Sequence, residues 1–298
     1  MAVAREKVRL AARAKINLRL DVLAREASGY HQIETVFCAL DHADEVEIDI
    51  GGTGLTLDVE GADLPTGPDN LVYRAAHAFF ERAGLDPCAA IRLRKRIPAG
   101  GGLGGGSSDA AVTLRGLNLL LGRPLDPQVL LELAMGIGSD VPFFLCGSSL
   151  ALAWGRGERL LPLEPLPPLD VVLIVPPFAI ATAEAYRELA AQRSTSVPIP
   201  EPRVTHLTRL AGWDSVFADA RNDFQPIATR LHPEVHDYIG GLDAAGASLA
   251  MLSGSGSSVF GLFTDARTAS RAARRVRSRF PDVRVIETRT AAYKAAVG

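Results

Sequence analysis

A glycine-rich run in the first half of the chain offers the clearest chemistry in the sequence. From Pro98 to Gly106 six of nine residues are glycine, and Ser107, Ser108 and Asp109 follow where a helix is expected to begin. Glycine lets backbone N–H groups converge on one point, and a helix N-terminus adds unpaired donors and a positive dipole end. The run therefore predicts a cradle for an anion, such as the phosphates of a nucleotide.

Two common glycine-rich nucleotide motifs fit this run poorly. A P-loop has lysine and then serine or threonine after its last glycine, whereas Gly106 is followed by Ser107. Gly100, Gly102 and Gly105 match the dinucleotide-binding pattern, but the predicted helix leads to a second helix instead of a strand ending in an acidic residue. A flexible linker is the remaining alternative, and the helix-capping residues after the run disfavour it.

A second segment rich in glycine and serine, residues 252–260, lies between two strand-like runs. Its backbone N–H groups and hydroxyls, with Ser253 and Gly254 among them, predict a second anion site. A hairpin turn is the alternative interpretation. Two cradles in one chain suggest that a phosphate donor and its acceptor both carry phosphate.

Lys15 and Asp140 are the charged residues best suited to a reaction between such ligands. Lys15 lies among apolar residues of a strand-like segment, and Asp140 precedes the apolar run 141–144. A carboxylate that orients or deprotonates a hydroxyl and a cation that offsets developing charge are typical of phosphoryl transfer. Either residue taken alone is more often structural.

Tyr30 and His31 follow Gly29 after the first strand-like region. An aromatic face beside a ring nitrogen is the combination that recognises an unpaired nucleobase. The alternative is a turn that contains a buried, hydrogen-bonded histidine.

The elements that must position these residues are predicted from periodicity. Strand-like alternation covers 8–23 and 35–50, and helical spacing covers 70–84 with Asp69 as its N-cap. A strand over 91–97 leads into the glycine run. Further predicted elements are a helix capped by Ser107 or Ser108 through Leu121, a helix from Asp126 to about Met135, a strand at 171–175, a helix from about Thr182, a polar linker at 192–203, helical segments to about Gly240, and strands at 248–252 and 259–263.

Composition limits the class of protein. The chain has 298 residues, 47% of them apolar and 22% charged, which is typical of a globular protein with two domains. We place the boundary near Leu160, which gives domains 1–160 and 161–298. The net charge of −2 argues against a general nucleic-acid or membrane binder, so small-molecule partners are expected. Three scattered cysteines and a start without an apolar leader predict a cytoplasmic protein.

Three blocks resemble, in order, the three motifs of the GHMP small-molecule kinases: 14–18 with 29–33, then 98–111, then 253–260. Within that superfamily the run at 29–31, the long glycine run and 137–143 resemble the members that act on a cytidine diphosphate derivative of methylerythritol. The resemblance implies a two-domain α+β fold. Its N-terminal domain would be ribosomal-protein-S5-domain-2-like and its C-terminal domain a ferredoxin-like α/β sandwich.

The resemblance also implies an activity. It is ATP-dependent phosphorylation of the 2-hydroxyl of that acceptor, in the non-mevalonate (methylerythritol phosphate) pathway of isoprenoid synthesis. Mg²⁺ would accompany ATP, with no protein ligand assigned to it. The implied partners are small molecules, with neither nucleic acid nor membrane, and the chain would be a monomer or a homodimer.

Site residues are implied by their positions in the matching motifs. The catalytic pair is Lys15 and Asp140. The ATP-binding residues are Asn70, Leu71, Lys95, Pro98, Ala99, Gly100, Gly101, Gly102, Leu103, Gly104, Gly105, Gly106, Ser107 and Ser108. The acceptor-binding residues are Asn17, Tyr30, His31, Thr182, Tyr186, Ser253 and Gly254, with Tyr30 stacking on cytosine, His31 bonding to its edge and Tyr186 as the opposing ring.

Two alternatives remain open at this point. One is a different GHMP kinase, acting on homoserine, mevalonate or a sugar. The other is a catalytically silent nucleotide-binding protein that has kept the fold, which the presence of both Lys15 and Asp140 disfavours.

Overall fold

The computed structural model describes residues 6–26, 31–194 and 210–293. Strands and helices are mixed along these ranges. The strands are β1 (Glu6–Arg25), β2 (His31–Ile50), β3 (Gly54–Glu60), β4 (Cys88–Arg94), β5 (Leu150–Gly155), β6 (Arg159–Pro162), β7 (Asp170–Val175), β8 (Arg221–Asn222), β9 (Leu249–Leu252), β10 (Val259–Phe263) and β11 (Arg284–Arg289). The helices are α1 (Leu71–Ala83), α2 (Gly105–Leu120), α3 (Pro127–Ile137), α4 (Val141–Leu145), α5 (Thr182–Ser194), α6 (Trp213–Asp219), α7 (Gln225–Leu231), α8 (Glu234–Asp243) and α9 (Ala266–Arg279).

The chain divides into two compact units whose boundaries cut through β1, β2 and the glycine run. Unit one consists of Met1–Ala14, His42–Ile97 and Gly104–Gly147, and unit two consists of Lys15–Asp41, Pro98–Leu103 and Ser148–Gly298. This division follows contacts within the fold, whereas the boundary near Leu160 rests on the sequence alone and stays a prediction.

Unit one packs helices against a small sheet. The second half of β2 pairs antiparallel with β4, and β3 pairs parallel with β4. Val46, Ile48 and Ile50 are buried, as their alternation with acidic residues predicted. Their side chains form the apolar face on which the helices of this unit pack.

Helix α2 lies especially close to β2. A Cβ at Gly116 would come within 2.6 Å of the Ile48 side chain, so glycine is needed there for the close approach. Helices α1, α3 and α4 pack around α2. The succession of α2 and α3 without an intervening strand confirms the helix-then-helix prediction that argued against a dinucleotide-binding fold.

Unit two contains a four-stranded antiparallel sheet in the order β11-β7-β10-β9. The first half of β2 pairs with β5, β5 pairs with β6, and the second half of β1 pairs in parallel with β8. Val172, Leu252 and Phe263 belong to the buried apolar cluster of this unit. The predicted strands at 171–175, 248–252 and 259–263 are thus confirmed to within a residue at either end.

Helix α9 is amphipathic in the manner that its sequence indicates. Ala269, Ala272, Ala273 and Val276 are buried against the cluster of unit two. The arginines between them are exposed, so this arginine-rich segment is a solvated helix face.

The predicted cap of α1 is wrong by one residue. Asn70, not Asp69, has the extended backbone of an N-cap, and its Oδ1 accepts a 2.9 Å hydrogen bond from the N–H of Val72. Its amide also donates to the carbonyl of Pro65 at 2.7 Å. Gly84 ends the helix in the left-handed region, as predicted.

The start of α2 also differs from the prediction. The helix begins at Gly105 after Gly104, which has a φ of 70° and offers no side-chain cap. The N–H of Ser108 already donates to the carbonyl of Gly104 at 2.9 Å, so Ser107 and Ser108 lie within the first turn and do not cap it. Glycine at the entry allows this early start because left-handed backbone carries little strain there.

Strand β4 ends at Arg94, earlier than predicted, because a side chain takes over its backbone donors. Oδ1 of Asp44 accepts hydrogen bonds from the N–H groups of Arg96 and Ile97, the latter at 2.8 Å. These N–H groups are therefore not used in strand pairing. The predicted linker at 192–203 begins within α5 and otherwise falls outside the described residues.

No helix in the described ranges combines the length and the apolar character that crossing a bilayer requires.

Removing the observed cap should destabilise the protein, whereas removing the predicted one should not. Asn70→Ala is expected to lower the free energy of unfolding by about 1 kcal/mol, because the N–H of Val72 loses its partner. Asp69→Ala is the matched control, since that side chain is exposed. Urea unfolding of both variants checks this, and equal losses would contradict the assignment of the cap.

Candidate functional site

The glycine run adopts a backbone that only glycine takes up easily. Gly100, Gly102 and Gly104 have φ values of 73°, 75° and 70°, and so alternate residues lie in the left-handed region. None of the N–H groups from Gly100 to Gly104 donates a backbone hydrogen bond within the described ranges. Successive peptides of this kind form a concave set of donors that suits an anion.

The carbonyl groups of Gly101, Gly102 and Leu103, in contrast, are held by other residues of unit two, to which this part of the run belongs. A Cβ at Gly102 would overlap the backbone oxygen of Ser253, and one at Gly101 would overlap the hydroxyl of Ser258. This packing places Pro98–Leu103 directly against the second cradle. The hydrogen bonds are Lys15 N to Leu103 O at 2.9 Å, Ser253 Oγ to Gly102 O at 3.1 Å and Ser258 N to Gly101 O at 3.2 Å.

The second cradle is itself held in place by two side chains. The amide of Asn222 donates to the carbonyls of Leu252 and Gly254, at 2.9 and 2.8 Å. The hydroxyl of Thr182, the first residue of α5, lies 2.9 Å from that of Ser255. Within unit two the structure therefore brings together the predicted residues Thr182, Ser253 and Gly254 with the first part of the glycine run.

Lys15 lies beside both cradles. Its side chain is buried, and its Nζ donates to Oδ1 of Asn17 at 2.8 Å and lies 5.3 Å from the ring centre of Phe37. A Cβ at Gly254 would lie 3.5 Å from the same nitrogen. The ammonium group thus has a fixed place next to backbone that suits phosphate groups.

The predicted nucleobase pocket is described only in part. His31 stacks on Tyr186 with ring centres 4.7 Å apart and 19° between the planes. The ring of Tyr186 also meets Phe224 edge to face at 4.8 Å. Tyr30 falls outside the described residues. The structure thus brings His31 and Tyr186 together, while the contact of Tyr186 with a base stays a prediction.

The remaining predicted ATP-binding residues lie together in unit one. A Cβ at Gly106 would lie 3.5 Å from the side chain of Leu71, and one at Gly105 would lie 3.2 Å from Nζ of Lys95. Asn70 caps the helix that begins with Leu71. The hydroxyl of Ser108 is buried at the start of α2 and has no hydrogen-bond partner among the described residues, which leaves it available to a ligand.

Lys95 is the centre of a buried ion cluster that spans the glycine run. Its Nζ donates to Oδ2 of Asp44 and to Oδ2 of Asp109, the second at 2.7 Å. Lys95 and Asp44 join the end of β4 to β2, and Asp109 belongs to α2. The two ends of the run are therefore fastened to one cluster in unit one.

The charged groups of this cluster shift one another's pKa values. Burial raises the pKa of the Asp109 carboxyl, the negative charge of Asp44 adds to that rise, and the attraction of Lys95 opposes it. Burial alone would lower the pKa of Lys95, but attraction to both carboxylates outweighs it and raises that pKa above its usual value. The ammonium group is thus committed to two carboxylates, and direct contact of Lys95 with ATP stays a prediction.

Asp140 is positioned by the apolar helix that follows it. It occupies the N-cap position of α4, yet its side chain makes no capping hydrogen bond. Val141 and Phe143 are buried and anchor that helix in unit one. Asp140 is half-buried, and contact of its carboxylate with a substrate stays a prediction.

No group of three or more His, Cys, Asp or Glu side chains in the described ranges is arranged to hold a metal ion.

Three buried residues that support the candidate site carry no functional signal in the motifs of the sequence. Thr35 accepts a hydrogen bond from Asn17 at 2.7 Å, Asn222 holds the second cradle, and Asp44 holds both Lys95 and the end of β4. Each acts over a long separation along the chain. For Asp44 the one available signal was its own acidic side chain at a strand position, since such a side chain is seldom buried without a partner.

Loss of Asp44 should be far more costly than loss of an exposed acid. Asp44→Ala is expected to lower the free energy of unfolding by about 3–5 kcal/mol, because it removes one partner of a buried ion pair and leaves two backbone donors unpaired. Asp58→Ala removes an exposed partner of Arg92 and should cost about 0–1 kcal/mol. Urea unfolding monitored by circular dichroism measures both, and similar losses would contradict the role given to Asp44.

Two family models match the chain. Residues 70–148 match the GHMP kinases N terminal domain, and residues 209–282 match the GHMP kinases C terminal domain. The fold is the two-domain α+β fold of the GHMP kinases.

Relatives with a known name are similar over nearly the whole chain. A 4-diphosphocytidyl-2-C-methyl-D-erythritol kinase of Pelotomaculum thermopropionicum is 43% identical over 94% of this chain and 96% of its own length. The same-named protein of Moorella thermoacetica is 41% identical over 94% of this chain and 98% of its own.

Solved structures agree with these relatives. A crystal structure of 4-(cytidine 5'-diphospho)-2C-methyl-D-erythritol kinase is 36% identical, with a TM-score of 0.75 over 97% of this chain and all of that one. A homoserine kinase of Cytophaga hutchinsonii shares the fold at 20% identity, with a TM-score of 0.72 over 97% of this chain and 95% of that one. The chain belongs to the 4-diphosphocytidyl-2-C-methyl-D-erythritol kinase family of the GHMP kinases.

Proposed function

We propose that the chain transfers the γ-phosphoryl group of ATP to the 2-hydroxyl of 4-diphosphocytidyl-2-C-methyl-D-erythritol, a step of the methylerythritol phosphate pathway. The names of relatives 41–43% identical over nearly the whole chain support the acceptor. The observation that carries the chemistry is the buried ammonium of Lys15, held by Asn17 beside the glycine run and the second cradle.

The residues of the glycine run fit the phosphates of ATP. The carbonyls of Gly101, Gly102 and Leu103 accept hydrogen bonds from unit two, and the neighbouring N–H groups remain for an anion. The buried hydroxyl of Ser108 at the first turn of α2 has room for one further hydrogen bond. We assign the β- and γ-phosphates to this run, where the dipole of α2 also favours negative charge.

The same residues fit a magnesium ion bound together with ATP. We propose that phosphate oxygens, water and a hydroxyl of Ser107 or Ser108 hold the ion. When bound, Mg²⁺ neutralises charge on the transferring phosphoryl group.

Asp140 and Lys15 have complementary parts in the transfer. Asp140 accepts or orients the proton of the 2-hydroxyl, whose oxygen forms a bond to the γ-phosphorus while the bond to the β,γ-bridging oxygen breaks. ADP leaves with the electron pair of that bond. Lys15 stabilises the negative charge that develops on the reacting groups, since a fixed cation in a buried site acts with little screening.

The cytidine end of the acceptor is assigned to the aromatic residues of unit two. Tyr30 supplies a stacking face, and His31 bonds to the edge of the base. His31 already stacks on Tyr186. The geometry therefore favours Tyr186 as a support that orients His31, instead of the opposing ring that the sequence predicts. Asn17, Thr182, Ser253 and Gly254 would contact the rest of the acceptor.

Other kinases of this fold act on homoserine or mevalonate, so the acceptor should be tested directly. With MgATP, we expect ADP and a phosphorylated product from the cytidine acceptor, and neither from homoserine nor from mevalonate. Coupled ADP assays and mass spectrometry of the product make this comparison. Transfer to one of the other acceptors would assign the chain a different GHMP kinase activity. ATP binding without any transfer would indicate a catalytically silent nucleotide-binding protein.

Removal of the proposed base should separate chemistry from binding. Asp140→Ala is expected to lower kcat by about a hundredfold or more while the Kd for ATP changes little, because acid–base catalysis typically contributes 10²–10⁴. Asp126→Ala, at an exposed N-cap that makes no side-chain hydrogen bond, is the matched control. Stopped-time product assays and equilibrium dialysis supply the two readouts, and near-normal turnover of Asp140→Ala would refute the assignment.

A further inference from the structure

The face of β1 that carries Lys15 is polar and buried along four alternate positions. Lys15, Asn17, Arg19 and Asp21 are each no more than 5% exposed. Burial of such groups is unfavourable unless every one has a partner. Arg19 is paired with Asp21 at 2.5 Å and with Glu34 at 3.1 Å. Asn17, which accepts a hydrogen bond from Lys15, is itself held by a different residue.

That residue is Thr35 of β2, whose side chain is fully buried. Its hydroxyl lies 2.6 Å from the carbonyl oxygen of Arg19 and 2.7 Å from the amide nitrogen of Asn17. The carbonyl oxygen can only accept, so the single hydrogen of the hydroxyl is donated to Arg19. The hydroxyl oxygen is thereby left to accept from Asn17.

The orientation of the Asn17 amide follows from this assignment. Because its nitrogen must face Thr35, its oxygen must face Nζ of Lys15, which lies 2.8 Å away and can only donate. A reversed amide would place its nitrogen against the ammonium group, donor facing donor, and its oxygen against a hydroxyl whose hydrogen is already used. One hydroxyl therefore sets the direction of both hydrogen bonds.

We propose that Thr35 is a positioning residue for phosphoryl transfer, which acts through the amide of Asn17 to hold the ammonium group of Lys15. The inference rests on the proposed function, in which Lys15 stabilises the transferring group. Thr35 is fully buried and is not assigned to either ligand, so it affects the reaction only through its neighbours. Its loss should therefore change kcat and leave substrate binding nearly unchanged.

The test compares Thr35→Val with Thr35→Ser. Valine keeps the shape of threonine and removes the hydroxyl, so we expect kcat to fall about tenfold or more, while KM for ATP and for the cytidine acceptor stays within about threefold. Serine keeps the hydroxyl, and kcat should return to within about threefold of the wild type. A misplacement of about 1 Å can cost about 10²-fold in rate, so a tenfold loss in kcat corresponds to a smaller shift of the ammonium group.

The matched control is Thr113→Val in α2. That side chain is equally buried, and its hydroxyl also donates to a backbone carbonyl, that of Asp109, at 2.8 Å. Thermal unfolding of both valine variants measures the general cost of the substitution. If Thr35 were only structural, both variants would lose stability and keep a normal kcat per folded molecule.

A second readout follows the amide itself. In the ¹⁵N NMR spectrum of the wild type, the side-chain amide protons of Asn17 should exchange slowly with water, and Thr35→Val should speed that exchange whereas Thr35→Ser should not. The full chain is used for both measurements. The variant Asn17→Asp lacks the side-chain amide and so assigns its resonance.

The outcomes separate this inference from the proposed function. A low kcat in Thr35→Val that Thr35→Ser restores supports the role of Thr35. Normal kcat in Thr35→Val, or equally fast Asn17 exchange in wild type and variant, overturns it. A folded wild-type protein that transfers nothing to the cytidine acceptor contradicts the proposed function, and the role of Thr35 in transfer falls with it, whatever the exchange experiment finds.

Discussion

The requirement to hold one ammonium group, that of Lys15, in a buried place links β1, β2 and the glycine run within unit two. A buried amine needs partners, and Lys15 has the oxygen of Asn17 and the face of Phe37. Its backbone N–H holds Leu103 of the glycine run as well. One residue thus joins the polar face of β1 to the loop proposed to bind an anion: its backbone N–H fixes Leu103, and the Asn17 side chain holds its ammonium group.

Residues of unit one hold the two ends of the glycine run by a buried ion cluster. The cluster of Lys95, Asp44 and Asp109 fastens the end of β4 and the start of α2 through charged hydrogen bonds that are shielded from water. Such a cluster is costly to break but contributes less than its Coulomb attraction suggests, because three charged groups lose their hydration. Its value here lies in fixing where the loop begins and ends, so that the flexibility of the glycines is confined to the loop itself.

Local signals in the sequence predicted more of the fold than of the site. Strand alternation at 46–50, the glycine stop at Gly84 and the glycine run itself are short-range patterns, and the structure confirms them. Element ends were less predictable. Asn70 and Asp69 are both good caps, and only the backbone decides which one accepts from Val72. The end of β4 depends on Asp44, about fifty residues earlier, which no local pattern reveals.

The residues that position the site were the least predictable. A threonine in a strand is common, and nothing near Thr35 indicates that its hydroxyl meets Asn17. Asn222 likewise follows an ordinary helix and holds a loop thirty residues away. The glycine run, Lys15 and Asp140 were visible because their chemistry is carried by residue type. Their supports were hidden because that role depends on which strands become neighbours.

In the proposed reaction the fixed cation of Lys15 serves the chemical step more than the binding of ATP. The most direct measurement is rapid-quench single-turnover phosphorylation of the cytidine acceptor by Lys15→Met, with the Kd for ATP determined on the same preparation. Loss of one preorganised group of this kind typically costs about 10²–10³ in rate, so we predict a loss of that size with ATP affinity within about threefold. A single-turnover rate close to that of the wild type would contradict the claim.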